Sequence, residues 1–124
     1  MLHDMTSTAT RKTIQPRNTY LVRIELTRYV AASNSFTVWT ATSSTVSFCT
    51  DALGASPIAG LSSFPLTESG TLGTYYAEIS PTYTNLLIPY VGQTIYQVVR
   101  AGANLAVPDL DGVVPLLVEQ PRYV

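Results

Sequence analysis

The chain has 124 residues, which is enough for one domain with a hydrophobic core. Only 12% of the residues are charged and the formal net charge is -1, whereas roughly a quarter is usual in globular chains. A domain that binds nucleic acid normally carries a basic face, so this composition argues against a nucleic-acid partner. The single cysteine, Cys49, excludes a disulfide within the chain.

No apolar run approaches the roughly 20 residues that a membrane helix needs, which argues against a membrane partner. The amino-terminal sequence MLHDMTSTATRKT also lacks the apolar segment of a secretory signal peptide. We therefore expect a soluble protein that is made and used without export through a cleaved signal peptide, and that has no transmembrane segment.

Residues 1–18, MLHDMTSTATRKTIQPRN, differ from the rest of the chain. They are polar and rich in threonine, they show neither a helical nor a strand period, and Pro16 marks their end. This composition predicts an extended N-terminal arm. Residues 19–124 are predicted to form one domain, since they contain neither an internal repeat nor a second compositional boundary.

Alternation with a period of two begins directly after the arm and predicts a strand in TYLVRIELTR (19–28). SFTVWTAT (35–42) and TVSFCT (45–50) are predicted as two further strands. In the second of these, Val46 and Phe48 lie opposite Cys49. The face predicted to be buried in the first strand consists of Tyr20, Val22, Ile24 and Leu26.

The middle of the chain is rich in turn residues. DALGASPIAG (51–60) predicts a turn-rich connection. The segment LSSFPLTE (61–68) predicts a short edge strand, because Pro65 cannot donate a ladder hydrogen bond. ESGTLGTYYAEIS (68–80) combines turn glycines with alternating residues, so we expect the second strand of a hairpin, half buried. Its glycines need only the geometry of a turn as their explanation.

One helical signal follows, in SPTYTNLLIPY (80–90), where Ser80 suits an N-cap and Pro81 the first helical position. QTIYQVVRAG (93–102) and VVPLLVEQ (113–120) are predicted as the last strands. The pattern predicts an all-β protein, a single β-sandwich with immunoglobulin-like or Greek-key connections. The extended N-terminal arm and at most one short helix complete it.

Catalytic and metal-binding patterns are weak throughout the chain. The only histidine, His3, lies in the arm, away from any partner for a triad or a metal site. Cys49 lies on a predicted strand, where a free cysteine is usually a small packing residue. DLDG (109–112) opens like a calcium loop, but its fifth and twelfth positions are Val113 and Gln120, which do not supply the ligands required there.

Glu68 and Glu78 are the one carboxylate pair considered for glycoside hydrolysis. Two glutamates on strands are more often solvated, and the chain has no phosphate-binding loop, dinucleotide fingerprint or nucleophile elbow. We therefore expect no enzymatic activity and no cofactor. Among the aromatic residues, four candidates suit either a protein interface or a sugar-binding platform: Trp39, Tyr76, Tyr90 and Tyr96.

The run from Thr50 to Arg100 also resembles a known group of proteins. It contains TDALGASPIAGLSSFPLTESGTLGTYYAEIS followed by LLIPYVGQTIYQVVRAG. Both are similar to segments of the small immunoglobulin-like β-sandwich structural proteins of tailed-bacteriophage virions. The resemblance implies a non-enzymatic virion component that is either a capsid decoration or cement protein or a head-to-tail connector.

This resemblance further implies that the partners are other virion proteins, capsid or connector subunits, together with copies of the chain itself. We expect an arm laid across a neighbour and contacts along sheet edges, with a homo-oligomer in the assembled particle. Position along the chain suggests five interface residues, near the hinge of the arm and at the carboxyl end: Ile14, Arg17, Tyr20, Arg122 and Tyr123. The alternative is a carbohydrate-binding or adhesion module that uses exposed aromatic side chains.

Overall fold

The computed structural model of the chain describes residues 12–38, 43–71, 73–102 and 110–120. Strands dominate these residues, as predicted, and only one short helical segment is present among them. The strands, numbered along the chain, are β1 (Thr13–Ile14), β2 (Tyr20–Glu25), β3 (Thr27–Val30), β4 (Ser35–Val38), β5 (Ser43–Cys49), β6 (Phe64–Pro65), β7 (Thr67–Glu68), β8 (Thr74–Ile79), β9 (Thr94–Gly102) and β10 (Leu110–Val118).

Two sheets form a sandwich. One has the order β1-β10-β9-β5-β6 and the other the order β2-β8-β7, while β3 and β4 form a separate hairpin. This arrangement is a single β-sandwich, the fold class that the sequence predicts.

The core lies between the two sheets and follows the predicted alternation. Val22 and Ile24 of β2 point inward, and Ala77 and Ile79 of β8 meet them from the neighbouring strand. Tyr76 and Glu78, which alternate with these inward residues along β8, are exposed, so β8 is half buried as predicted. From the other sheet come the inward side chains Val46, Phe48, Ile95, Val99, Leu116 and Val118.

The chain changes sheets at Leu66. Phe64 and Pro65 pair with β5, whereas Thr67 and Glu68 pair with β8. Leu66 is 8% exposed, and its backbone N–H donates to the carbonyl oxygen of Ser44 at 3.0 Å. Pro65 lies in an outer strand, as expected, because the missing donor then breaks no ladder between two neighbours.

The helical segment connects β8 to β9. It consists of α1 (Pro81–Thr84) and a 3-10 helix (Asn85–Tyr90). The Ser80 side chain makes no capping hydrogen bond, although Pro81 begins the helix as predicted. A 3-10 helix has three residues per turn. The residues that share its inner face are therefore three apart: Thr84, Leu87 and Tyr90.

Residues 12–18 belong to the domain, which corrects part of the predicted arm. β1 pairs in parallel with β10, and the Ile14 side chain is 1% exposed in the common core. Asn18 is fixed as well, because the Thr84 hydroxyl donates to its carbonyl oxygen at 2.9 Å. The sequence missed this strand because two residues are too few to show a period. Residues 1–11 of the predicted arm lie outside the described residues.

Candidate functional site

The predicted interface residues are placed very differently by the fold. Ile14 is buried in the core of its own chain, so it is not a surface contact residue. Arg17 is exposed at a turn and has a positive φ of 70°. Tyr20 is half buried, and its hydroxyl donates to Oε1 of Gln97 at 3.0 Å. Arg122 and Tyr123 lie outside the described residues.

The two glutamates considered for catalysis are placed differently by the fold. Glu68 closes a turn, because its Oε2 accepts the backbone N–H of Gly73 at 3.1 Å. Glu78 lies on the outer face of the three-stranded sheet, opposite Leu21. Within the described segments, no group of three His, Cys, Asp or Glu side chains could hold a metal ion. His3 and Asp109 lie outside those segments.

Exposed apolar side chains are concentrated on the helical connection. Four of them, which we call the crossover surface, are Tyr83, Leu86, Ile88 and Val91, with exposed fractions of 42%, 42%, 49% and 37%. The Tyr83 ring packs edge-on against the ring of Phe64, with ring centres 5.0 Å apart, and this contact fixes its position. The four side chains lie within nine residues of one another in the sequence, and groups of exposed apolar side chains commonly mark protein contact sites.

The crossover surface is also free of charge. No Asp, Glu, Lys or Arg occurs between Glu78 and Arg100. Depletion of charge and enrichment in Tyr and large apolar side chains are typical of the centre of a protein–protein interface. The sequence did not indicate this surface, because the helical signal in residues 80–90 does not show which of its apolar side chains remain exposed. The uncharged stretch was the signal that could have revealed it.

The exposed tyrosines do not form one platform. Tyr76 lies on the outer face of the three-stranded sheet and is 41% exposed. Tyr96, which is half buried, alternates with the core residues Ile95 and Gln97 and therefore faces outward from the five-stranded sheet. Tyr90 packs partly buried against the core. Trp39 lies outside the described residues.

A loop covers part of the outer face of the five-stranded sheet. The Asp51 carboxylate holds it, because Oδ2 accepts the N–H of Ala55 at 3.1 Å and Oδ1 accepts that of Ser56 at 2.8 Å. These hydrogen bonds lower the pKa of the carboxyl group. At Gly54, with φ of 73°, the backbone lies so close to Val98 that a Cβ atom would stand 3.1 Å from its Cγ1.

Cys49 lies at the base of this loop and is 1% exposed. Burial raises the pKa of its thiol, and the nearby Asp51 carboxylate raises it further, while Arg100 opposes both. The reactive thiolate is therefore disfavoured in the folded protein. This environment agrees with the expectation that Cys49 is a packing residue.

We expect Asp51→Ala to open the loop and to increase the rate at which a maleimide alkylates Cys49 in native buffer. The substitution removes both acceptors that hold the loop, and it removes a negative charge beside the thiol. Leu53→Ala is the matched control, because Leu53 is 83% exposed in the same loop. If both variants are alkylated at the rate of the unaltered protein, the Asp51 carboxylate does not hold this loop over Cys49.

No helix within the described residues is long and apolar enough to cross a membrane. No family model, no curated protein and no solved structure matches this chain.

Proposed function

We propose that this protein is a non-enzymatic structural component of a tailed-bacteriophage virion, a capsid decoration or cement protein or a head-to-tail connector. It would bind neighbouring subunits, including copies of itself, through its N-terminal arm, its sheet edges and the crossover surface. The observation that carries the proposal is the distribution of solvent-accessible aromatic and apolar side chains over several faces: the exposed Tyr76 on one sheet, the half-buried Tyr96 on the other and the exposed Ile88 on the helical connection.

Contacts on several faces suit a protein that meets several neighbours. In a symmetric shell or ring, each contact is repeated, so individually weak contacts combine into a stable assembly. The formal net charge of -1 and the uncharged crossover surface offer little repulsion between copies. The resemblance of residues 50–100 to phage sandwich proteins points in the same direction.

A sugar-binding module would need several aromatic side chains on one surface. Tyr76 and Tyr96 lie on the outer faces of opposite sheets, so they cannot stack on one short glycan. This separation supports the assembly proposal over the carbohydrate alternative.

We expect Ile88→Arg to weaken docking to phage particles or shells that lack this protein by at least about tenfold, because an unpaired charge would be buried in an apolar contact. Thr82→Arg is the matched control, since it adds the same charge at an exposed polar position of α1. Co-sedimentation measures docking.

A version that begins at Lys12 should also dock more weakly, since it lacks residues 1–11 of the arm.

This version begins at Lys12 rather than after residue 18, because a longer deletion would remove Ile14 from the core. Circular dichroism before docking establishes that each variant is folded. If the unaltered protein fails to dock, the virion proposal is wrong. If every variant docks as well as the unaltered protein, the crossover surface and the arm are not the contact regions. Screening against a glycan array is then the next experiment.

A further inference from the structure

The ladder between β1 and β10 is short and has a fixed register. Thr13 pairs with Leu117 and Ile14 with Val118, so the partners differ by 104 positions (117 minus 13). β10 begins at Leu110, and β9 covers its other side from Leu110 to Leu117. Within the described residues, no strand pairs with the β1 side of β10 before Leu117.

The direction of the hydrogen bonds explains where β1 begins. The N–H of Leu117 donates to the carbonyl oxygen of Lys12, and the N–H of Glu119 donates to that of Ile14, both at 3.0 Å. Alternate residues of a strand point to the same side, so position 115 would supply the next donor. That residue is Pro115, which has no N–H. The ladder therefore loses its next bond at this point.

Beyond Pro115, the same edge still directs the backbone groups of Asp111 and Val113 away from β9. Eleven residues precede Lys12. Fully extended, they reach up to about 36 Å, which is enough to cross to a neighbouring molecule. Six of them, TSTATR (6–11), are mostly threonine and serine without glycine or proline, a composition that permits an added strand.

We propose that residues 1–11 pair with the β10 edge of a second copy of this chain. The chain's own arm would reach Val113 and Asp111 only by continuing the β1 ladder past Pro115, where one bond is lost, whereas an arm from a neighbour can pair with Val113 and Asp111 alone. A neighbour's arm gains backbone hydrogen bonds to Val113 and Asp111, as in other cases of strand addition. It also joins two molecules, which the same segment folded back on its own edge would not do. The proposal specifies the self-association within the proposed function and rests on it.

Disulfide trapping tests this exchange in the full chain. In the β1 register, position 9 would face position 113, because the difference is again 104. One variant carries Ala9→Cys and another carries Val113→Cys, a position that is 38% exposed. Neighbouring strands place Cα atoms close enough for a disulfide, and the buried Cys49 contributes little background. After the two variants are mixed and oxidised, we expect a covalent heterodimer on a non-reducing gel.

The double variant carries both new cysteines in one chain. It shows whether the arm pairs with its own β10 edge, which gives a disulfide within the chain, or with that of a neighbour, which gives a disulfide between chains. We expect bonds between chains from it, and we expect adding Pro115→Thr to shift them toward bonds within one chain, since the missing donor is restored. A second series moves the arm cysteine to Ser7 or Arg11, which covers other registers. Bonds confined to single chains, or no bonds at any arm position, would overturn the exchange.

The outcome separates this inference from the proposed function. Heterodimers without docking to phage particles would leave the exchange standing and refute the virion role. Docking without heterodimers would refute the exchange and leave the virion role standing.

Discussion

Replacing Ile14 by alanine is expected to lower the free energy of unfolding by about 2–5 kcal/mol, the usual cost of truncating a fully buried isoleucine. The Ile14 side chain is 1% exposed and packs in the cluster that both sheets share. Its loss would leave a cavity beside Val118, which pairs with it across the β1–β10 ladder. Urea unfolding, followed by far-ultraviolet circular dichroism, measures the change.

Leu21→Ala is the control for this experiment. Leu21 is an aliphatic residue of β2 that is 57% exposed, so its truncation should change the free energy of unfolding by about 0.5 kcal/mol or less. Equal and small effects for the two variants would place Ile14 outside the core. Residues 12–14 would then belong to the arm, as the composition of the sequence first indicates.

Replacing Tyr20 by phenylalanine is expected to cost about 1–3 kcal/mol at neutral pH, because the Gln97 side chain loses the hydroxyl that donates to it. Gln97 is 4% exposed, so water does not readily replace that donor. The ring itself stays, with its edge-on contact to Phe48 at 6.0 Å between ring centres. The double variant Tyr20→Phe, Gln97→Leu should recover part of the loss, since it removes the buried acceptor as well.

The same residue predicts a dependence on alkaline pH. Burial raises the pKa of Tyr20 to about 12 from an ordinary value of 10.0, because the phenolate would lose its hydration. The neutral form is therefore favoured by folding, so its contribution is complete below pH 10 and is lost as the pH rises through about 12. A shift of this size corresponds to a few kcal/mol, on the order of 3 kcal/mol.

Urea unfolding of the unaltered protein and of Tyr20→Phe, carried out at several values between pH 8 and pH 12, measures this contribution. The stability of the unaltered protein should fall more steeply above pH 10, so the two curves should converge. Parallel curves over the whole range would show that Tyr20 titrates in the folded protein at its ordinary pKa.

The Tyr20–Gln97 hydrogen bond connects β2 of the three-stranded sheet to β9 of the five-stranded sheet. Antibody domains, which are also β-sandwiches, join their two sheets by a disulfide that packs against a buried tryptophan. In this chain a hydrogen bond joins them, and Phe48 of β5 packs against the Tyr20 ring. Neither residue type signals such a pairing in the sequence, because their contact joins positions far apart in the chain.

Local sequence patterns were sufficient to predict secondary structure wherever the alternation is long enough. Alternation in β2 and β8 predicted that these strands are buried on one face. Pro65 predicted an edge strand, because the absence of its backbone N–H can be read from that residue alone. The all-β class followed from these elements, together with turn residues between them.

Only the tertiary structure decided which segments join which sheet and which apolar side chains remain outside. Ile14 is in the core because β10 lies beside it, and Ile88 is exposed because the 3-10 turn directs Leu87 inward instead. The effect of Pro115 on the β1–β10 ladder can be recognised only once the register of the two strands is known. Pairing between distant segments depends on contacts that close long loops. The residues of one strand therefore do not show which other strand will pair with it.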